Sequence, residues 1–427
     1  MTREATLADP RPTLDGAALK ALALRLDQSD MVLQTRTAAL DLYRSAALPD
    51  RVKHLWRFSN PENLLPSGLA AADICGPSAA PELIDPVAEA VATVDLWPGR
   101  APVVQRVSAD PVPGLEVKPL TVETVAAGTP RSSALFRHLN EAAWNAGLVI
   151  EVAAGTVLPG PVVVRIHAGG SVVIPRILFK IGPQAEATLV EQHVGGSADA
   201  VVVSRTGVEA GAAANVRHVV LQTWEPGTKG HISVHSTADR DSDVLTAFAT
   251  FGGERAKMEL VTDLSGPGAR SEMIGVALAG DGQRFDHHTR HRHVSGRTWS
   301  NIDFKTVGAG RSRGSYTGLI RIEEGARVTE AYQVNRNLLL SARSRADAIP
   351  ELEILNEEVS CSHGATVAPV DPDQLFYLES RGMDPHVALR LVVRGFLEKT
   401  LQSLPAVLRP AVEELMEARL AGLKENA

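Results

Sequence analysis

The sequence predicts a mainly β protein, a parallel β-helix core flanked by α-helical domains at both ends. Three observations predict it. From Leu148 to Val359 the chain runs as short β-branched or alternating segments bounded by Gly, Asp, Ser or Pro, with almost no helical interruption. Within that block a unit recurs, a Gly turn, a small residue, then an alternating strand, as in "IGPQAEATLV", "EAGAAANVRHVV", "GGERAKMELV", "SGPGARSEMIGV" and "EEGARVTEAYQV". One such unit cannot bury its face alone, so neighbouring units must stack. Aromatic residues make up only 4% against 35 glycines, which suits Gly turns and small Val/Ala strands better than aromatic-packed cores. A two-sheet sandwich is the competing architecture, and the short, steady turn spacing favours the solenoid.

Residues 1–75 read as an N-terminal helical region. Leu19, Leu22 and Leu26 share a helical face, and Leu33, Thr37, Leu40 and Tyr43 repeat at helical spacing until Pro49. "DRVKHLWRFSNPENLLP" follows as a basic–aromatic segment. Residues 76–145, rich in Pro, Ala and Gly, read as a loop-rich connection with a few strands. The β-helix core is placed at 146–370, opening after "LNEAAWNAG". A C-terminal helical domain is placed at 371–427. There Asp371 and Asp384 are placed as N-caps, Pro372 and Pro385 as first helical residues, and Gly382 as the stop between them. The expected apolar stripes are Ala388, Leu391, Val392 and Phe396, then Val412, Leu415, Met416 and Leu420, before a charged tail.

The 427 residues carry a net charge of −7, which argues against a nucleic-acid binder. No uncharged apolar run reaches the roughly 18 residues of a membrane span. The opening "MTREATLADP" lacks the apolar core of a signal peptide. Cys75 and Cys361 form no disulfide framework, so a cytoplasmic setting is expected.

No Gly-Lys dipeptide occurs, hence no Walker A loop and no nucleotide site of that kind. "GAGRSRG" (Gly308 to Gly314) is followed by a strand and reads as a turn. Asp239, Asp241 and Asp243 alternate, and on a strand they would share a face as acid and base carboxylates, the basis of an alternative carbohydrate-active reading. They stand between strand patterns, where Asp and Ser also mark a turn. In "FDHHTRHRHVSG" a strand would turn His287, His291 and His293 one way and His288 the other, a spacing open to metal binding or to a polar solenoid face. Cys361 and His363, two apart after the strand-like "EILNEEV", share a face as well. Thiol and imidazole suit iron or zinc, a Cys–His nucleophile pair, or a buried cysteine beside a hydrogen-bonded histidine. Two ligands leave a four-coordinate site incomplete, so the remainder must come from elsewhere in the chain or from a partner.

The run Asn335 to Met383 ("NRNLLL", "P-x-LEI", "CSHGATV", "D-x-x-x-LFYL-x-SRG") resembles the signature block of SufD in the SufB/SufD family of the SUF iron–sulfur cluster assembly system. "LNEAAWNAGLVIEVAAGTVLPGPVVV" is similar to that family's entry into its core. The resemblance implies a right-handed parallel β-helix with N- and C-terminal helices, and a non-catalytic scaffold subunit. It implies a SufB-like partner and a SufC-type ABC ATPase that supplies ATP hydrolysis. The ATPase contact would lie within Leu375 to Leu404, with Leu375, Phe376, Tyr377, Arg381, Gly382 and Phe396 as candidates. His363 matches a histidine that helps bind a nascent cluster, or iron, at the subunit interface, with Cys361 beside it. A homodimer of the isolated chain is also compatible. The single cysteine in "CSHGATV" sides with SufD over the related SufB. "HHTRHRH" lies where the family also has histidines.

Overall fold

Alternating segments of about ten residues bury one face only if a second sheet lies across from them, and the chain meets this need by coiling. The computed structural model describes residues 11–51, 54–76, 89–105, 111–120 and 133–422. The opening decapeptide, much of the 76–145 connection and the tail 423–427 lie outside the described residues.

The strands are β1 (Ala92–Leu96), β2 (Val103–Gln105), β3 (Leu115–Lys118), β4 (Ala146–Val152), β5 (Val162–His167), β6 (Val172–Val173), β7 (Pro175–Ile181), β8 (Glu186–Val194), β9 (Val201–Ala210) and β10 (Asn215–Gln222). They continue as β11 (Lys229–Ala238), β12 (Asp243–Thr250), β13 (Arg255–Leu264), β14 (Arg270–Ala279), β15 (Arg284–His293), β16 (Trp299–Gly308), β17 (Arg313–Ile322), β18 (Thr329–Leu339), β19 (Arg345–Ile354) and β20 (Val359–Pro369). The first sheet runs β2-β1-β5-β8-β10-β12-β14-β16-β18-β20, and the second β19-β17-β15-β13-β11-β9-β7-β4-β3. Successive coils pair in parallel, Asp243 standing opposite Arg270 and Trp299 opposite Glu330. This is a parallel β-solenoid, with one strand of each coil in each sheet. β1 already stands in the first sheet beside β5, inside the stretch that reads as a connection.

Each coil turns through the same strained corner. Gly155, Gln184, Ala213, Asp241, Gly268, Arg297 and Val328 all have φ between 56° and 78°. Their amides form a ladder along the solenoid: Gln184 N–H donates to the Ala212 carbonyl at 2.9 Å, Ala213 to Arg240 at 2.8 Å, Arg297 to Arg327 at 2.8 Å and Val328 to Glu358 at 2.9 Å. The left-handed conformation aims each N–H along the stack. Five of the seven positions hold a side chain despite its cost there.

Alternation fills the interior with Leu189, Val216, Val220, Phe248, Met273, Phe304 and Tyr316. The rings of Phe248 and Phe304 stack at 5.2 Å, and those of Phe304 and Tyr316 at 4.8 Å. Each outer face is covered by helices over part of its length. The N-terminal helices are α1 (Gly16–Arg25), α2 (Asp30–Ser45), α3 (Ala71–Ile74) and α4 (Ala134–Ala143). Leu135, Phe136 and Leu139 of α4 pack with Val149, Leu178 and Val203 of the second sheet. The buried stripe of α2 is Val32, Arg36, Leu40 and Tyr43, so Thr37 is exposed, contrary to the expected stripe. Arg36 takes the core position because the end of α4 leaves acceptors there. Its guanidinium donates to the carbonyls of Ala142 and Trp144, both at 2.8 Å, and lies 4.0 Å from the Trp144 ring.

The C-terminal helices are α5 (Pro372–Ser380), α6 (Pro385–Gln402) and α7 (Arg409–Gly422). Asp371 and Asp384 cap α5 and α6, accepting from the amides of Asp373 and His386 at 2.9 Å each, with proline next in line. Val393, Leu397 and Leu401 of α6, with Val412 and Met416 of α7, cover Val219, Leu245, Ile274 and Val276 of the first sheet. Of the expected α6 stripe Ala388 is buried, but beyond it the stripe is turned one residue: Leu391 is exposed, Val392 and Phe396 are half-buried, and Val393 and Leu397 are buried.

Candidate functional site

The two ends of the solenoid differ. At the N-terminal end the sheets finish in the short strands β2 and β3, paired antiparallel to β1 and β4. At the other end β19 and β20 each have one neighbour, β17 and β18, and among the described residues nothing pairs with their outer edges. Cys361 and His363 stand on β20, in that terminal coil.

Their register places Cys361 beside Ala331 and His363 beside Gln333. Alternation gives both the same face. Cys361 is half-buried against the small cluster of Ile320, Ile322, Ala326 and Ala331, and burial pushes its thiol above the usual range. His363 is exposed, and among the described residues it has no hydrogen-bond or ion-pair partner. A raised thiol with no imidazole bonded to it is the opposite of an activated nucleophile. What remains is one soft and one borderline donor on an open edge. That donor set fits iron but fills only part of its coordination. Gln333, buried beside His363, has an Oε1 without a hydrogen-bond partner. Sequence reading misses it, since it lies a whole coil earlier and only the register brings it alongside.

His287, His291 and His293 do face one way, into the solenoid, and His288 faces out to Asp286 at 3.0 Å. They do not converge. Strand rise sets His287 roughly 13 Å from His291 and His291 roughly 7 Å from His293. Each imidazole meets its own hydroxyl: His287 with Thr250 at 2.9 Å, His291 with Ser271 at 3.0 Å, His293 with Thr298 at 2.7 Å and Ser300 at 2.8 Å. Among the described residues no group of three or more His, Cys, Asp or Glu side chains is placed to hold a metal ion. A second polar knot lies deeper in the interior. Fully buried Glu191 meets His218 Nε2 at 2.7 Å and accepts from Thr206 Oγ1 at 3.0 Å. Burial would raise its carboxyl, but the bond to His218 and the nearby His193 imidazole, 3.5 Å away, hold it down at about 2.

The carboxylates of the alternative reading belong to a turn. Asp241 is the left-handed corner residue, Asp239 accepts from the Arg240 amide at 2.7 Å, and Asp243 pairs with Arg217 at 2.6 Å. They form no acid–base constellation. "GAGRSRG" is a turn as well, with Gly310 at φ 59° and Arg311 paired to Asp281 at 2.8 Å.

Helix α5 has no buried residue. Phe376 is 71% exposed and Tyr377 58%, and Met383, Val387 and Leu391 extend the apolar surface. The Arg381 guanidinium lies 5.2 Å from the Tyr377 ring, and Leu375 and Gly382 complete this corner. Phe396 lies apart: it is half-buried and turned to the solenoid, where the Lys305 ammonium sits 5.3 Å from its ring and donates to its carbonyl at 2.6 Å.

Residues 164–396, more than half of the chain, match the family model described as SUF system FeS cluster assembly, SufBD core domain. The chain is 31% identical over 209 residues to an iron-sulfur cluster assembly SufBD family protein of Mycobacterium leprae, covering 49% of this chain and 24% of that protein. A second SufBD family protein of the same organism is 30% identical over 265 residues, 60% of this chain and 65% of its own length. The iron-sulfur cluster assembly protein SufB of Bacillus subtilis is 26% identical over 300 residues, 69% of this chain and 64% of its own length. The chain thus spans about a quarter of the first of these relatives and somewhat under two thirds of the other two. The matched span takes in the solenoid from β6 to β20, with Cys361 and His363 on its last strand, and the chain belongs to the SufBD family of the SUF iron–sulfur cluster assembly system.

Proposed function

We propose that the chain is a SufD-type, non-catalytic scaffold subunit that works in the cytoplasm. The carrying observation is an incomplete donor pair on an unpaired edge strand. Cys361 and His363 offer a nascent iron–sulfur cluster, or iron, half of a site, and the missing ligands come from a SufB-like subunit docked against β19 and β20. The cluster is cargo here. The exposed edge amides and carbonyls of β20 are suited to strand addition by that subunit, or by a second copy when the chain is alone. The single cysteine of the block favours SufD over SufB. A SufC-type ATPase docks on the apolar corner of α5 and the start of α6, at Leu375, Phe376, Tyr377, Arg381 and Gly382, and ATP is hydrolysed there. Exposed aromatic surface on a helix with no buried side is the expected mark of an interface.

The test is co-expression with SufB-like and SufC-type chains. His363→Ala is expected to leave the complex assembled and to lower its reconstituted iron and sulfide content several-fold. Phe376→Ala with Tyr377→Ala is expected to release the ATPase alone. Cluster loading by His363→Ala equal to that of the parent would refute the ligand role. Failure of the parent to co-purify with either partner would refute the subunit role.

A further inference from the structure

The basic–aromatic segment from Arg51 to Leu64 has no part in the site above. Of this segment, Arg51 and Phe58 to Leu64 form one wall of a cleft of about 260 Å3 over the outer face of the second sheet. The opposite wall is a ladder. Arg255, Arg284 and Arg313 open three successive strands, β13, β15 and β17, in direct register. Neighbouring strands lie about 4.8 Å apart, so three guanidiniums are stacked at that spacing. Like charges directly opposite one another destabilise a sheet unless something between them is negative.

The protein supplies that charge to the outer two only. Arg255 pairs with Glu254 at 2.9 Å and Arg313 with Asp347 at 3.0 Å. Arg284, in the middle, has no carboxylate, hydrogen-bond or ring partner among the described residues, and neither does Arg51 across the cleft. Asp286 also lines the cleft, but its charge is already taken up by the Lys257 ammonium at 3.1 Å and His288 at 3.0 Å, and Ser59 donates to it at 2.6 Å. Asn60, Asn63 and Ser315 complete a polar lining, and the Arg313 guanidinium is braced 5.7 Å from the Phe58 ring.

We propose that this cleft is an oxyanion site for a phosphoryl group, held by Arg284 and Arg51 with the flanking arginines as second donors. A guanidinium fork matches phosphate oxygens bidentately, and two unpaired forks on opposite walls of one cleft suit a group with oxygens on both sides. The volume admits a diphosphate or a phosphate ester. Nothing in this inference depends on the cluster-scaffold reading.

The experiment is calorimetric titration of the full chain at fixed ionic strength with pyrophosphate, orthophosphate, a simple phosphate monoester and citrate. Pyrophosphate is expected to bind saturably, one per chain. Arg284→Ala is expected to weaken binding at least tenfold without lowering the melting temperature of the ligand-free chain, since the side chain has no partner to lose and its removal relieves like-charge repulsion. Arg284→Lys should recover part of that. Arg311→Ala, which removes an arginine held by Asp281 away from the cleft, should leave binding unchanged. Tighter binding of the monoester than of orthophosphate would identify the group as part of an organic molecule, and the reverse would identify free phosphate. Absence of saturable heat with all the phosphates, equal losses in Arg284→Ala and Arg311→Ala, or citrate binding as tightly as pyrophosphate would each overturn the proposal.

Discussion

Mild acid is expected to loosen the solenoid through its interior histidines. Burial holds His287 at about 3 and His293 at about 4, and keeps His291 well below the ordinary imidazole value. The unfolded chain carries the same imidazoles near 6.5 and takes up protons as the pH falls through that value. The folded chain does not, so it binds fewer protons throughout the window from about 6.5 down to about 4, and its stability falls with pH there. One proton is worth about 1.4 kcal/mol per pH unit. Allowing for half-protonation at the start, each histidine removes about 1.5–2 kcal/mol between pH 6.5 and 5, and the three together roughly 5 kcal/mol. That is comparable with the whole stability of an ordinary domain. The depressed carboxylates act later: Glu191, held at about 2, gives up its contribution only as the pH falls below about 4.5. Urea unfolding at pH 7.5, 6.5, 5.5 and 5 reads the effect as a falling midpoint. His293→Gln and His287→Gln, whatever they do to the midpoint at pH 7.5, should each flatten the slope by about one proton. A midpoint constant from pH 7.5 to 5, or parental slopes in both variants, would refute the reasoning. A metal-ligand role for the row would show instead as a loss of stability at pH 7 on adding a chelator, and none is expected.

Three further outcomes follow from the packing. Val328→Gly should raise the urea midpoint by an amount equivalent to roughly 0.5–1 kcal/mol, because a β-branched residue is released from φ 56° while its 64% exposed side chain gives up little contact; a lower midpoint would mean that the corner is not strained. Lys257→Ala should cost on the order of 3 kcal/mol by urea titration, since it takes the ammonium from buried Asp286, leaving only His288 and Ser59, and removes the bond to the Leu55 carbonyl at 2.5 Å. Leu397→Ala, at a fully buried position between α6 and the first sheet, should cost about 2–4 kcal/mol and speed proteolytic removal of the C-terminal helices; equal cleavage rates would count against that packing.

The strands were legible because alternation and Gly turns are local signals, and so were the caps of α5 and α6, where Asp-Pro acts within three residues. Helix faces were less so. Where two apolar residues adjoin, as at Val392–Val393 and Phe396–Leu397, periodicity allows either face, and the sheet beneath decides. A few strands were expected between 76 and 145, but the place of β1 in the solenoid was hidden because its partner is remote: Asp95 finds Arg165 only through parallel pairing, with bonds of 2.7 Å between them. For the site, the common face of Cys361 and His363 follows from spacing alone. What surrounds them does not, since Gln333 and the open edge depend on the coil length and on where coiling stops.

That stopping point sets a number. Coils add by parallel pairing, and a chain with two open ends could lengthen without limit by end-to-end stacking. Here the strands at the two ends differ in length: β2 and β3 have 3 and 4 residues, β19 and β20 have 10 and 11. Two bodies that meet through β19 and β20 match long edge to long edge and leave only the short antiparallel strands outside. Very short edge strands are poor templates for pairing, so the far end favours a closed pair over the fibre that the same stacking chemistry would otherwise build.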